Sequence, residues 1–168
     1  MNKLFLTLCL IGISLVQLVA QPNWKFVNTG ENHTILIHET TKITIDGKPI
    51  EKGDYISVFY EKKTKDGKVA LENAGGTGKG SGDINDRIGV KWEGKTTATA
   101  AWGTKEGQNN GFAKGEEFKW KIWRASDGKV FDAVATYITD HRIPDEGKYK
   151  KDGISRLGTL KAVSKKNK

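Results

Sequence analysis

The residues best suited to chemistry are aromatic side chains that alternate with lysines on predicted strands. Residues 118–123 place apolar side chains at every second position, with lysines between them and a tryptophan on the lysine face. Residues 55–60 alternate in the same way and place two further rings on one face. An outward aromatic ring among lysines can stack on a sugar or seat a partner protein. The predicted ligand-binding residues are Trp123, Tyr55, Phe59, Lys119 and Lys121. The alternatives are that both sheet faces are covered or that a strand shifts by one residue.

A second candidate is a cation site that follows the glycine-rich stretch 74–82. Asp83, Asn85 and Asp86 offer three oxygen-bearing side chains, and calcium prefers such ligands. The same residue types also bond to their own backbone in turns, so ordinary turn formation is the alternative. We predict no obligatory cofactor and name calcium at these residues as the one cofactor candidate.

Catalytic motifs are not found in the sequence. Gly78-Lys79 lacks the spacing of a phosphate-binding loop, because Asn73 stands where the first glycine is needed. His33 and His38 lie five positions apart, which places them on opposite faces of a strand. A Gly-x-Ser-x-Gly nucleophile motif is also missing. We therefore predict that the protein is not an enzyme.

The elements that must position these residues are strands joined by tight turns. Asp-Gly dipeptides, which favour hairpins, occur at Asp46-Gly47, Asp66-Gly67, Asp127-Gly128 and Asp152-Gly153. Residues 50–69 and 112–130 also echo each other, since each run has a Lys-Gly-acid turn, an aromatic strand and an Asp-Gly-Lys-Val turn. We predict an all-β fold, an antiparallel β-sandwich of jelly-roll or Ig-like type, with the two similar hairpins in facing sheets.

The first twenty residues differ from the rest and predict a cleavable signal peptide. Lys3 supplies a basic start, residues 4–19 form an uncharged apolar run, and Ala20 is a small residue at the cut. This run of 16 residues is shorter than the roughly 20 that a membrane-spanning helix needs. We predict a signal peptide at 1–20, a single β-sandwich domain at 21–163 and a basic disordered tail at 164–168. The protein is then secreted, periplasmic or attached to the cell surface, with no transmembrane segment after cleavage.

The composition describes a basic chain that must fold on its core alone. The net charge is +8 over 168 residues, and the single cysteine lies within the leader. A domain of this length buries enough surface to fold without disulfides. Basic charge attracts anionic surfaces. Because the lysines are spread along the chain, solubility is the alternative, and we predict no specific nucleic-acid partner.

Several segments together resemble a module that recurs in secreted and surface proteins of Bacteroidota. The matching residues are 24–37, 53–60, 101–103, 111–116, 120–123 and 152–160. The resemblance implies a β-sandwich without an assigned activity, in proteins that are often adhesin-like. Relatives often carry acids after the Trp-Gly pair, where this chain has Thr104-Lys105, so a cation site there is not supported.

These observations predict a non-catalytic secreted or cell-surface binding module for a glycan or a partner protein. The alternative is a structural or accessory subunit of a surface assembly. A third interpretation, a glycan-active enzyme, would need a cleft with two close carboxylates or a histidine dyad.

Overall fold

The computed structural model describes residues 21–76 and 89–165, and its regular structure in these ranges is entirely β. The strands are β1 (Asn32–Ile37), β2 (Lys42–Ile45), β3 (Lys48–Pro49), β4 (Tyr55–Lys63), β5 (Val69–Asn73), β6 (Gly75–Gly76), β7 (Val90–Lys91), β8 (Thr97–Trp102), β9 (Lys119–Trp123), β10 (Val130–Tyr137) and β11 (Ile154–Ala162). Within these ranges, no helix is long and apolar enough to cross a membrane. The predicted all-β class is confirmed.

The strands form one sheet that is nearly closed into a barrel-like shape. The order along the sheet is β5-β4-β9-β10-β11-β1-β8-β6, with β2 and β3 attached to β11 and with β7 attached to β4. Ala74, between β5 and β6, joins the two ends of this strand order by hydrogen bonds. Its N–H donates to the carbonyl of Val58 in β4 at 3.0 Å, and its carbonyl accepts from the N–H of Trp102 in β8 at 2.8 Å.

Two pairings correct the predicted antiparallel arrangement. Strand β11 runs parallel to β1 and also parallel to β2, so the sheet is mixed. One continuous path of strands takes the place of two facing sheets. Hydrophobic alternation reports which face of a strand is buried and carries no information on the direction of its neighbours.

The turns follow local sequence chemistry. Asp46 and Gly47 both have positive φ, 52° and 79°, and they close the β2–β3 hairpin with Ile45 opposite Lys48. The two echoed runs form the hairpins β4–β5 and β9–β10, as the repeated pattern indicates. The hairpins are neighbours in the same sheet, because β4 pairs with β9, and the predicted facing arrangement is wrong.

The core lies inside the barrel and collects the inward residues of every long strand. Its fully buried members include Ile35, Ile56, Phe112, Ile122 and Leu160. Burying aliphatic and aromatic side chains of this size stabilises the fold by about 1.5–3 kcal/mol each.

Several predictions concern residues outside the described ranges or at their ends. The leader at 1–20 and the calcium candidates Asp83, Asn85 and Asp86 fall outside them. Ser164 donates its backbone N–H to Asp46 at 2.8 Å and Lys165 pairs with Asp132 at 3.4 Å, so contact with the fold continues past the predicted domain end at 163.

Candidate functional site

Strands β4 and β9 divide their side chains between two faces as the alternation predicts. Val58 lies opposite Trp120, and both side chains enter the core. Tyr55 lies opposite Trp123, and these rings join Phe59 in a separate cluster outside the barrel. The outward side of β5, β4, β9 and β10 is called the outer face below.

The rings on the outer face are nevertheless buried. Tyr55, Phe59 and Trp123 are each only 4% exposed, because Trp24 from the N-terminal segment lies over them. The Trp24 ring packs edge-on against the Phe59 ring, with 5.3 Å between the ring centres. The Tyr55 and Trp123 rings pack in the same way, with 5.6 Å between their centres. The prediction that these rings are exposed is wrong, and covering of both sheet faces, the alternative considered above, accounts for them.

The alternation of residues 22–26 is the sequence signal for a segment that lies on a surface, although it does not determine which surface. Pro22, Trp24 and Phe26 are buried at every second position while the residues between them are exposed, which is the alternation of a strand lying on a surface. Phe26 stacks on Trp102 in the core at 6.3 Å with nearly parallel rings. The Thr29 hydroxyl donates to the carbonyl of Gly103 at 2.6 Å. These contacts anchor the segment at the β8 end of the sheet.

The two predicted lysines lie on the outer face, each beside a carboxylate. Lys121 pairs with Asp132 at 2.5 Å and holds its ammonium 5.4 Å from the centre of the Phe59 ring. Its hydrogen bond to Asp132 lowers the pKa of that carboxyl. Lys119 pairs with Glu117 at 3.4 Å. These pairings reduce the net positive charge that the sequence pattern predicts for this surface.

Two grooves run along the outer face, each with a volume of about 520 Å³. The first lies beside Trp24, Phe59 and Lys121 and includes Val130. The second lies between β9 and β10 and includes Val134. Leu71 lines both grooves, so the two are adjacent.

Exposed aliphatic side chains mark these grooves. Leu71 is 40% exposed, Val130 is 48% exposed and Val134 is 75% exposed. None of the three is among the residues predicted from the sequence, although the alternation of β10 indicates that Val130 and Val134 share the face of Asp132. Ion-paired side chains surround these aliphatic residues, an arrangement typical of a surface that contacts another macromolecule.

A histidine and a serine meet inside the protein. His33 and Ser155 are both fully buried, with Nε2 and Oγ 2.9 Å apart. Nδ1 lies 3.1 Å from the carbonyl oxygen of Lys150 and 3.2 Å from its backbone nitrogen, so the Lys150 backbone holds this ring atom whichever nitrogen carries the proton. The Ser155 hydroxyl oxygen also lies 3.1 Å from the carbonyl oxygen of Asp145. Both side chains are closed off from solvent in this structure.

The same contacts explain the role of His33 in the fold. It joins β1 to β11 and to the loop at residues 145–153, and burial lowers the pKa of its imidazole. We interpret His33 and Ser155 as a buried polar pair that stabilises the contact between β1 and β11.

Neither a related protein nor a set of metal ligands in the described residues helps to locate the site. No family model matches the chain, and neither a curated protein nor a solved structure matches it. In residues 21–76 and 89–165, no group of three or more histidine, cysteine or acidic side chains is arranged to hold a metal ion. The candidate site is therefore defined by the outer face and its two grooves.

Proposed function

We propose that the protein is a non-catalytic, secreted or cell-surface binding module that docks a partner protein on its outer face. The observation that carries this proposal is the row of exposed Leu71, Val130 and Val134 along two adjacent grooves. Contiguous apolar side chains on a soluble surface, rimmed by polar groups, mark contact sites for other macromolecules.

A partner protein fits this surface better than a glycan does. Stacking on a sugar needs an accessible aromatic face, yet all five tryptophans are at most 9% exposed. The accessible apolar groups of the grooves are aliphatic. Aliphatic contacts with ion pairs at the rim are the usual composition of a protein–protein interface.

The proposed location rests on the sequence. The basic start, apolar run and small residue of the first twenty positions favour export. The chain that follows the leader has no cysteine, and the resemblance to surface modules of Bacteroidota also supports an extracellular role.

One observation favours a second candidate, a structural subunit of a surface assembly. Strand β5 stands at one end of the sheet order and pairs only with β4 among the described residues. Val69 and Leu71 on this strand are exposed. An edge strand with exposed apolar side chains can pair with another chain. Sedimentation velocity of the purified protein tests this candidate, which requires oligomers that dissociate in a Val69→Lys variant.

The lead proposal is tested by capture of partners from envelope extract of the producing cells, with a glycan array in parallel. Val134→Lys places a charge at the apolar row, and we expect it to reduce protein capture at least tenfold. Val27→Lys is the matched control, because Val27 is 54% exposed and lies in the N-terminal segment near β8. Neither exposed substitution should change stability by more than about 0.5 kcal/mol.

The conditions of the capture experiment separate specific from general attraction. Each variant is assayed at two salt concentrations, since screening removes diffuse attraction of a basic protein. Capture that survives salt and is lost in Val134→Lys supports the proposal. Equal capture by Val134→Lys and Val27→Lys contradicts it, and salt-resistant glycan binding without protein capture favours a glycan ligand.

A further inference from the structure

Strands β9 and β10 separate part-way along their length and open the second groove. Their pairing runs from Val130 opposite Trp123 to Ala133 opposite Trp120, and no further pair follows in the described part of the chain. Beyond that point β10 continues to pair with β11, whereas the Phe118 N–H donates to the carbonyl of Gly147 at 3.1 Å. The side of β10 that faces β9 is therefore left without a strand partner after Ala133.

The groove contains a hydroxyl donor. The Trp120 Nε1–H donates to the Tyr137 hydroxyl oxygen at 2.7 Å, and both side chains line the groove. The hydroxyl proton of Tyr137 has no acceptor among the described residues. Burial raises the pKa of Tyr137 to about 12, so the group stays protonated at neutral pH. It can donate to an oxygen that enters the groove.

The groove contains one carboxylate that has no ion pair among the described residues. Glu117, Asp132 and Glu146 line it together with one cation, Lys119. Glu117 is paired with Lys119, and Asp132 is paired with both Lys121 and Lys165. Glu146 is exposed and has no ion-pair partner within residues 21–76 and 89–165. The Glu146 carboxylate can therefore attract a cationic group and repel an anionic one.

We propose that the groove between β9 and β10 binds an extended peptide segment of a partner protein that carries a lysine or arginine side chain. The peptide backbone continues the interrupted ladder on β10, which is a common mode of peptide recognition. One peptide carbonyl accepts from Tyr137, an apolar peptide side chain contacts Val134, and the cation lies near Glu146. The inference rests on the proposed function, because it names the partner segment for the same face.

The test uses synthetic peptides with blocked ends and ¹⁵N NMR of the purified protein. The basic probe is Lys-Val-Lys-Val-Lys. An acidic control, Glu-Val-Glu-Val-Glu, reverses its charge, and a second control, Lys-Val-Pro-Val-Lys, lacks the central N–H. We expect saturable shifts of the Trp120 indole signal and of the amides of residues 134–137 with the basic probe only.

A charge variant tests the proposed cation contact. Glu146→Gln should weaken binding of the basic probe by about two- to fivefold, as expected for a partly exposed ion pair. Glu106→Gln, in an exposed loop outside the groove, should leave binding unchanged.

Three results would overturn the inference: equal shifts with the acidic and basic peptides, shifts that map away from β9 and β10, or no shift with the basic probe at millimolar concentration. Each of these leaves the proposed function standing if Val134→Lys still abolishes capture of a partner. A different result contradicts the proposed function, namely capture of the partner that is unchanged by Val134→Lys.

Discussion

Trp24 closes the outer aromatic cluster, and its replacement by alanine should destabilise the protein substantially. Its side chain is 9% exposed and packs edge-on against Phe59. A buried tryptophan removes about 150–250 Å² from water. At about 25 cal/mol/Å², this area corresponds to roughly 4–6 kcal/mol.

The expected loss is smaller than that upper bound. Unfolded chains already bury part of their apolar surface, and the alanine retains some contact. A segment near the chain terminus also relaxes more easily than a central strand. We therefore expect Trp24→Ala to lower the free energy of unfolding by about 2–4 kcal/mol, near the range measured for large-to-small core substitutions.

Urea unfolding followed by far-ultraviolet circular dichroism measures this loss. With an m-value of about 2 kcal/mol/M, the midpoint should fall by about 1–2 M. Val27→Ala is the control, because Val27 belongs to the same segment and is 54% exposed. If Trp24→Ala costs less than about 0.5 kcal/mol, as exposed substitutions do, the burial of the outer rings beneath Trp24 is refuted.

Two further predictions concern buried polar groups. The folded protein lowers the pKa of His33 below its ordinary value of 6.5, so the unfolded chain binds more protons as pH falls below 6.5. Stability should therefore decrease as pH falls below 6.5, more steeply in the wild type and in His38→Asn than in His33→Asn, as measured by urea unfolding across pH; equal slopes would contradict this. Thr29→Val removes the buried hydrogen bond to Gly103 and should cost about 1–2 kcal/mol. Thr44→Val is its control, since the Thr44 hydroxyl has no hydrogen-bond partner among the described residues, and an equal loss in both variants would contradict the assigned role of Thr29.

Much of the local structure could be predicted because its causes are local. The Asp46-Gly47 turn needs positive φ at two adjacent residues, and that requirement is visible in the dipeptide itself. The inward positions of β4 and β9 follow from alternation. The parallel pairing of β1 with β11 could not be predicted in this way, since it joins Thr34 to Ile154 across most of the chain.

The candidate site was predicted in part. Alternation places Tyr55, Phe59 and Trp123 together outside the barrel, and the structure does the same. Their covering by Trp24 depends on where the N-terminal segment lies, which periodicity does not determine. The exposed Val134 was missed because a valine on a strand is ordinarily assigned to the core.

Hydrogen–deuterium exchange of the purified protein, with and without its captured partner, tests the central claim most directly. If the outer face is the docking surface, bound partner should slow exchange in β5, the Lys119–Trp123 strand and β10, and leave the β2–β3 hairpin unchanged. Protection confined to the β2–β3 hairpin or to β8, with no change in β9 and β10, would contradict the account.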